Sequence, residues 1–349
     1  MKNYRLIYFI ILLPALVATL FAGDKIMVVT TLTTYADIAR EIGGDKVEVE
    51  AIVEGDQDAH FVKPKPSYAV LLSRADLFVE TGLDLELWAP TLIDKSGNPG
   101  IRSGQAGYVA AADGVKMLEV PATMDRSEGD VHIYGNPHIT TGPLNIKIIA
   151  SNIAAGLSNV SPENAGFFRD RLKQYNEQID TRLFGEPLVR ILGSETLTQL
   201  AQSQQLMPFL ESQTFQGQPL VNYLGGWLKE MLPLRGKRLV AYHKNWIYFA
   251  TLFGLNIIGY VEPKPGIPPS PRHVEQLIQR IRQDNVKVIL AANYFDERKV
   301  REIAEKIKGT AVVVPLSVDG VPEVRNYFQL MDYWTSHLLK AFQESEKGA

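Results

Sequence analysis

Strands and helices alternate through most of this chain, and this order constrains its fold more than any other feature. In the first half, three short apolar runs predict buried strands at 26–31, 47–53 and 76–82. Segments 34–44 and 67–75 lie between them, and their apolar spacing predicts helices. A strand–helix–strand order implies right-handed crossovers and a parallel sheet. We therefore expect an α/β first half.

The second half repeats this order of elements. Four apolar runs predict strands at 237–243, 256–262, 286–293 and 311–317. Helical segments separate these runs, and a long amphipathic segment at 324–345 predicts a closing helix. The halves show no aligned sequence repeat. We predict an α/β fold with two lobes, each with a mostly parallel sheet flanked by helices.

Residues 144–183, between the two halves, give no strand signal. Their apolar spacing predicts helix, and Ser161 followed by Pro162 is typical of a helix start. We expect this stretch to join the two halves. Ligands of open α/β sheets bind beyond the carboxyl ends of the strands. With two sheets facing each other, a binding site would lie between the lobes.

Composition limits the functions that this chain can have. Its 349 residues are enough for two domains, and 46% are hydrophobic and 21% charged, as in ordinary globular proteins. The formal net charge of −3 gives no basic field to attract nucleic acid. There is no cysteine, which excludes disulfides, thiolate metal sites and a cysteine nucleophile. A metal would therefore be held by histidine, aspartate, glutamate or backbone oxygen.

The N-terminus has the order of an export signal. Lys2 and Arg5 precede an apolar run at 6–21, and the chain becomes polar after Ala22. This order predicts a secretory signal peptide at residues 1–22 that is removed near Ala22. The run is short for a membrane-spanning helix, and an uncleaved anchor stays open as an alternative. We expect an exported, soluble protein without a lipid anchor, because no cysteine follows the signal.

Three of the six histidines are the best candidate metal ligands. His60 falls shortly after a predicted strand of the first half, and His243 ends a predicted strand of the second half. His138 lies in a loop that Pro137 and Pro143 constrain. Loops fixed in this way are often functional, although an ordinary surface loop would explain His138 equally well.

The other three histidines have weaker claims. His132 lies in the same loop as His138 and could join the site or gather metal from solvent, but an ordinary loop role is simpler. His273 falls in the first turn of a predicted helix and His337 in the closing helix, where we expect packing roles.

Three histidines at strand ends or in constrained loops would suit Zn²⁺, with a carboxylate or water completing a tetrahedron. None of them has the close spacing of an HExxH motif. The chain also lacks a phosphate loop, a GxSxG motif and a dinucleotide fingerprint. The residues alone leave open whether the histidines form one site or are unrelated.

Three segments carry a resemblance to a known family. Residues 58–88 (DAHFVKPKPSYAVLLSRADLFVETGLDLELW), 135–157 (GNPHITTGPLNIKIIASNIAAGL) and 236–278, which begins GKRLVAYHKNW, resemble the metal-binding segments of the cluster A-I substrate-binding proteins. These proteins are the zinc- and manganese-binding components of ABC transporters. The resemblance extends from about Lys25 to Phe342, and three segments in order are highly specific.

The resemblance implies a C-clamp, in which one long backbone helix joins two α/β lobes and metal binds between them. In this chain it implies an N-terminal lobe at 23–143, a linking helix at 144–183 and a C-terminal lobe at 184–349. The loop around His132 corresponds to the family's histidine-rich loop, although it is nearly bare of histidine here.

The resemblance also implies a ligand set. The family's ligand histidines correspond to His60, His138 and His243, and histidine at the third position is more typical of zinc-selective members. The usual fourth ligand is an aspartate, but this chain has Ser317 there, with Asp319 two residues later as the candidate. Three histidines and a water would form a neutral ligand set that disfavours Mn²⁺, which prefers oxygen.

The main hypothesis is a periplasmic protein that captures Zn²⁺ between its lobes and delivers it to an ABC permease in the inner membrane. It predicts a monomer without enzymatic activity, whose zinc affinity falls as pH drops through about 6, because histidine binds metal when deprotonated. The alternatives are a manganese- or iron-binding member of the family and a secreted zinc hydrolase with Glu262 or Asp319 as base. An adhesin-like surface protein is a weaker alternative.

Overall fold

The computed structural model describes residues 25–121, 132–262, 267 and 269–347. The predicted signal peptide lies outside these residues. Within them, no helix combines the length and apolar character that crossing a membrane requires.

Two four-stranded sheets organise the described residues. The strands are β1 (Ile26–Thr30), β2 (Val47–Ala51), β3 (Leu77–Glu80), β4 (Tyr108–Ala110), β5 (Thr214–Phe215), β6 (Gln218–Pro219), β7 (Arg238–Ala241), β8 (Asn256–Tyr260), β9 (Val288–Ala292) and β10 (Thr310–Val314). The first sheet has the order β2-β1-β3-β4, the second has the order β10-β9-β7-β8, and β5 and β6 form a hairpin. All pairings within the two larger sheets are parallel.

Helices surround both sheets. They are α1 (Thr33–Gly43), α2 (Pro66–Ser73), α3 (Ala89–Ser96), α4 (Pro143–Val160), α5 (Ala165–Phe184), α6 (Glu186–Leu192), α7 (Ser194–Gln202), α8 (Leu206–Ser212), α9 (Gly226–Met231), α10 (Ile247–Phe253), α11 (Pro271–Gln283), α12 (Glu297–Lys306) and α13 (Tyr327–Lys347). Strand residues such as Val28, Phe78 and Ile289 are fully buried, as parallel sheets covered on both faces require. The predicted fold of two α/β lobes with parallel sheets is confirmed.

The region between the lobes contains two helices rather than one continuous helix. α4 ends at Val160 and α5 begins at Ala165, with a 3₁₀ turn at Pro162–Asn164 between them. Pro162 lacks the backbone N–H that a continuous helix needs. α5 has 20 residues, a length of about 30 Å. It contacts α1 in the first lobe and α9 in the second, so it spans their junction.

Residues 185–225 form an excursion between α5 and α9 that contains α6, α7, α8 and the β5–β6 hairpin. The ends of this excursion meet, because Gly225 N–H donates to the carbonyl oxygen of Phe184 at 2.8 Å. A Cβ added at Gly185 would lie 2.5 Å from Cα of Gly225, so this close approach requires glycine.

The lobes touch where the strands of the first sheet end. The hydroxyl of Thr33 donates to the carbonyl oxygen of Val318 at 2.6 Å, and Val318 N–H donates to Thr34 Oγ1 at 3.3 Å. A Cβ added at Gly55 would lie 2.3 Å from the same carbonyl oxygen. The turn after β10 therefore packs tightly against the start of α1.

Candidate metal centre

His60 is held by the residue two positions before it. It lies in a 3₁₀ turn after β2, and Asp58 caps this turn by accepting from the backbone N–H of His60 at 3.0 Å. The same oxygen, Oδ1, lies 2.7 Å from Nδ1 of His60. Trp88 Nε1 donates to the carbonyl oxygen of Ala59 at 2.7 Å and ties the turn to the lobe. These contacts use Nδ1 and leave Nε2 of His60 for another partner.

His138 has the same local arrangement. Oδ1 of Asn136 accepts from the backbone N–H of His138 at 3.0 Å and lies 2.9 Å from its Nδ1. His138 is buried, and its Nε2 has no hydrogen-bond partner among the described residues. A buried imidazole nitrogen without a partner is costly unless a ligand occupies the space before it.

His243 comes from the second lobe, two residues after the end of β7. Its Nδ1 lies 3.2 Å from the carbonyl oxygen of Glu262, just beyond β8. Its side chain is buried. All three histidines therefore direct Nδ1 to an oxygen acceptor, an arrangement that fixes the tautomer with Nε2 as the metal-binding atom.

The structure brings these three predicted residues together. Ligand atoms of His60, His138 and His243 all lie within 4.8 Å of one another. The ring centroids are 5.3 Å apart for His60 and His138, 5.9 Å for His60 and His243, and 5.5 Å for His138 and His243. Tetrahedral Zn²⁺ binds histidine nitrogen at about 2.0–2.1 Å. Small side-chain adjustments would bring the three nitrogens to this distance.

His132, for which the sequence favoured an ordinary loop role, lies beside His60 but outside the group of three whose ligand atoms are mutually close. Its Nε2 lies 3.2 Å from Nε2 of His60. Its ring centroid is 5.2 Å from that of His60 and 6.0 Å from that of His138. A histidine far from a strand end gives no local sequence signal, because the packing of the loop across the site decides its position.

Asp319 lies apart from the histidines. Its carboxylate is 3.2 Å from Nη1 of Arg325, and the residue sits in a tight turn at a φ of 59°. The described histidines and carboxylates that group together do not include it. Ser317, two residues earlier, lines the cavity beside His60 and His138. The structure therefore does not bring Asp319 to the site.

The cavity beside the histidines is small. Its volume is about 20 Å³, close to the minimum that holds one water molecule. Its lining residues are Leu32, Gln57, Asp58, Ala59, His60, Leu85, Pro137, His138, Thr140, Tyr294, Leu316 and Ser317. The cavity thus adjoins two of the three candidate ligands, His60 and His138, and is too small for an organic molecule.

Burial lowers the pKa of three of these histidines, His132, His138 and His243. Burial, followed by the charge of His60, lowers the pKa of His243 to about 4 and that of His132 to about 3. Burial also holds the pKa of His138 well below its ordinary value. Burial raises the pKa of Asp58, but the hydrogen bonds and charge of His60 outweigh this effect and lower it overall. His132, His138 and His243 are thus neutral imidazoles, the form that binds metal, and the Asp58 carboxylate lies beside His60.

The two remaining histidines have packing roles, as the sequence predicts. His273 Nε2 lies 2.9 Å from the carbonyl oxygen of Tyr260, and its backbone N–H donates to the capping hydroxyl of Ser270. The ring of His337 stacks on Tyr333 with centroids 3.9 Å apart.

Family membership follows from the sequence. The profile of the family described as "Zinc-uptake complex component A periplasmic" (ZnuA) matches residues 28–182 and 221–341, more than half of the chain. The chain belongs to the ZnuA family. The match covers both lobes of this ZnuA-family protein and leaves out residues 183–220, which fall almost entirely within the excursion.

Curated relatives share most of the chain. PsaA of Streptococcus pneumoniae, named as a manganese ABC transporter substrate-binding lipoprotein, is 25% identical over 89% of this chain and 87% of its own length. FimA of Streptococcus parasanguinis, named as a metal ABC transporter substrate-binding lipoprotein, is 24% identical over 81% of this chain and 77% of its own. This ZnuA-family chain is thus one of the metal ABC transporter substrate-binding proteins.

Solved structures share the fold. A crystal structure of ZnuA covers 91% of this chain and 99% of its own, with a TM-score of 0.66 at 19% identity. The manganese-bound periplasmic metal binding protein from Candidatus Liberibacter asiaticus covers the same shares with a TM-score of 0.63 at 18% identity. At these identities the likeness extends to the two-lobed fold of the ZnuA-family chain.

Proposed function

We propose that this protein captures Zn²⁺ between its lobes in the periplasm and delivers it to an ABC permease in the inner membrane. The convergence of His60, His138 and His243 carries the proposal. Two come from the first lobe and one from the second. In each, Nδ1 faces an oxygen acceptor, which leaves Nε2 for the metal. A ligand set divided between lobes couples binding to closure, as carrying and releasing an ion requires.

The donor set favours zinc over manganese. Imidazole nitrogen suits Zn²⁺, whereas Mn²⁺ prefers carboxylate, carbonyl and water oxygens. The relatives named for manganese do not settle the metal of this chain, because its own donors decide it. Here the fourth position has a nearby imidazole, that of His132, and Asp319 is ion-paired with Arg325. We propose His132 as the fourth ligand.

We also infer that the bound metal is cargo and that the protein catalyses no reaction. A hydrolytic zinc keeps an open position for water and a general base beside it. In this site the imidazole of His132 lies beside Nε2 of His60, whereas the Asp58 carboxylate contacts the other ring nitrogen, Nδ1. Chelator-sensitive hydrolysis of generic esters or peptides by the zinc-loaded protein would favour the hydrolase alternative instead.

Isothermal titration of the metal-free protein tests the proposal. We expect Zn²⁺ to bind more tightly than about 1 µM, as buried histidine sites for zinc do. The double variant His60→Ala/His243→Ala should lose this binding, and the matched control His273→Ala/His337→Ala should keep it. Binding that is weaker than micromolar in the wild type, or undiminished in the first double variant, would contradict the proposal.

A further inference from the structure

Glu119 joins the two lobes beside the candidate metal centre. Its Oε2 accepts a hydrogen bond from Nδ2 of Asn136 at 2.7 Å, and its Oε1 accepts one from the hydroxyl of Tyr260 at 2.7 Å. Asn136 belongs to the first-lobe loop that carries His138, whereas Tyr260 ends β8 in the second lobe. One carboxylate therefore bridges the lobes.

Asn136 connects this bridge to the candidate ligands. Its Oδ1 lies 2.9 Å from Nδ1 of His138, and its Nδ2 also donates to the carbonyl oxygen of Lys244 at 2.6 Å. Lys244 directly follows His243. The two hydrogens of Nδ2 are thus donated to Glu119 and Lys244, and a flip of the Asn136 amide would break both hydrogen bonds. The amide holds the loop of His138 against the segment that carries His243.

The backbone around Glu119 is held in an unusual conformation. Glu119 has a φ of 52°, in the left-handed region that few non-glycine residues adopt. Asn136 N–H donates to the carbonyl oxygen of Leu118 at 2.8 Å, and a Cβ added at Gly135 would lie 2.9 Å from Cβ of Met117. Backbone strain of this kind persists where the surrounding structure fixes it, often at functional sites.

The hydroxyl of Tyr260 is the donor in this bridge. Burial, followed by the charge of Glu119, raises the pKa of Tyr260, so its hydroxyl keeps the proton. Hydrogen bonds from a hydroxyl to a carboxylate are roughly twice as strong as neutral ones. Separating the lobes at this side of the site would break this bond.

We propose that Glu119 is a positioning residue that clasps the lobes around bound metal and slows its release. The inference rests on the proposed function, because the clasp acts on an ion held by His138 and His243. After the lobes close on the ion, the Tyr260–Glu119–Asn136 bridge must break before these two histidines separate. Loss of the bridge therefore speeds dissociation and leaves association nearly unchanged.

Stopped-flow release of Zn²⁺ into a chelator measures this effect on the zinc-loaded full chain. Glu119→Ala and Tyr260→Phe should each raise the dissociation rate constant about tenfold. The dissociation rate constant of the double variant should not exceed the larger of the two single-variant values, because both changes remove the same bridge. Glu119→Gln should recover most of the wild-type rate, since its amide oxygen can accept from Asn136 and its amide nitrogen can donate to the Tyr260 hydroxyl. Faster release in Tyr260→Phe, which keeps the ring and loses only the hydroxyl, would not follow from a packing role.

Two control variants remove the same groups elsewhere. Glu48→Ala changes an exposed carboxylate on β2, and Tyr223→Phe removes a hydroxyl in the excursion. Both should release zinc at the wild-type rate. A rate for Glu119→Ala within about twofold of the wild type, or additive effects in the double variant, would overturn the inference.

Failure of the clasp can be separated from failure of the proposed function. If the wild type binds no zinc, the proposed function fails, and hydrogen exchange in the metal-free protein then tests the clasp. Glu119→Ala should speed exchange of the Asn136 backbone N–H about tenfold, because the loop of His138 opens more often. Exchange at the wild-type rate would overturn the clasp.

Discussion

Asp58 and Asn136 prepare two candidate ligands by the same short motif. Each lies two residues before a histidine, and one side-chain oxygen meets both the backbone N–H and Nδ1 of that histidine. The ring orientation is therefore fixed before any metal arrives. Asp58 adds a negative charge, which offsets part of the charge of a bound dication. Asn136 is neutral, and its Nδ2 donates a hydrogen bond to Glu119.

At the residue scale, His132 and Asp319 differ in their expected effect on zinc binding. His132→Ala should weaken zinc binding about tenfold, because it removes a nitrogen beside His60. Asp319→Ala should leave the Kd within about twofold of the wild type, since its carboxylate pairs with Arg325. Titration calorimetry on both variants measures this difference. The reverse order of effects would show that the turn after β10, rather than the loop, completes the ligand set.

The depressed pKa of His243 predicts a pH dependence for the metal-free protein. Above pH 6.5 His243 is neutral in both the folded and the unfolded chain. As pH falls below 6.5, His243 takes up a proton in the unfolded chain, but in the folded protein it does so only near pH 4. The wild type therefore loses stability between these two pH values. His243→Gln avoids the loss and should gain on the order of 3 kcal/mol relative to the wild type between pH 7 and pH 4.

Urea unfolding of both metal-free proteins at several pH values measures this gain. The comparison must be made between variants, because burial also raises the pKa of Asp37 and Glu86 to about 7, which changes stability in the opposite direction. His337→Gln, outside the site, serves as the control. A difference between His243→Gln and wild type that stays constant with pH would contradict the prediction.

The three principal histidines could be predicted from the sequence because each has a local signal. His60 and His243 follow strands, and His138 lies in a loop fixed by proline. The positions of His132 and Glu119 beside the candidate site could not be predicted, because loop packing between the lobes decides which side chains meet there. The resemblance made Asp319 the candidate fourth ligand, two residues after the position where the family has its aspartate. In the structure the tight turn places its carboxylate against Arg325.

The excursion at 185–225 is the element that sets this chain apart from the family profile. It packs against the rest of the protein, where Thr198 Oγ1 accepts from Lys147 at 3.0 Å beside the Lys147–Asp180 ion pair. It also helps to line a cleft of 590 Å³ that includes Gln199 and Gln202. Neither the pair nor this cleft contains a candidate ligand, so the excursion adds structure away from the metal centre.

Removing the excursion should therefore spare metal binding. Joining Gly185 directly to Gly225 deletes residues 186–224 at a point where the two glycines already touch. Zinc affinity should stay within about threefold of the wild type, since no proposed ligand is lost. The melting temperature should fall by several degrees, about the effect of losing one or two kcal/mol of packing. A folded deletion variant that no longer binds zinc would contradict this account.

The strong apolar periods of β1, β9 and α13 made most elements predictable, and the exceptions have physical reasons. β4 has three residues, too few to show a period. The predicted single linking helix is broken at Pro162, where the sequence itself carries a helix-start signal. The excursion contains helices of only seven to nine residues. Over such a short length, the apolar spacing of a helix cannot be distinguished from that of a loop.

At the scale of the whole molecule, direct contacts limit how far the lobes can move. Asp37 of α1 accepts from the backbone N–H of Tyr327 at 2.8 Å, and Thr33 and Thr34 hold Val318. α5 crosses the same junction as one uninterrupted helix. These contacts lie on the first-lobe helix beside the site, and we therefore expect the lobes to open by small rocking rather than by a wide hinge.

Small-angle scattering of the metal-free and zinc-loaded protein tests this rigidity. A chain of this size has a radius of gyration of about 20 Å, and we expect zinc to change it by less than about 1 Å. Titrating the wild type with zinc to saturation gives both states in one buffer. A decrease of several ångströms would indicate a wide hinge and contradict the contacts at the junction.

The most direct test of the central claim, that zinc is held between the lobes, is a crystal structure of the zinc-loaded protein with data collected at the zinc absorption edge. The account predicts one strong anomalous peak at about 2.0–2.1 Å from Nε2 of His60, His138 and His243. A fourth contact should come from His132. An anomalous peak away from these three histidines, or none between the lobes of protein crystallised with saturating zinc, would contradict the account.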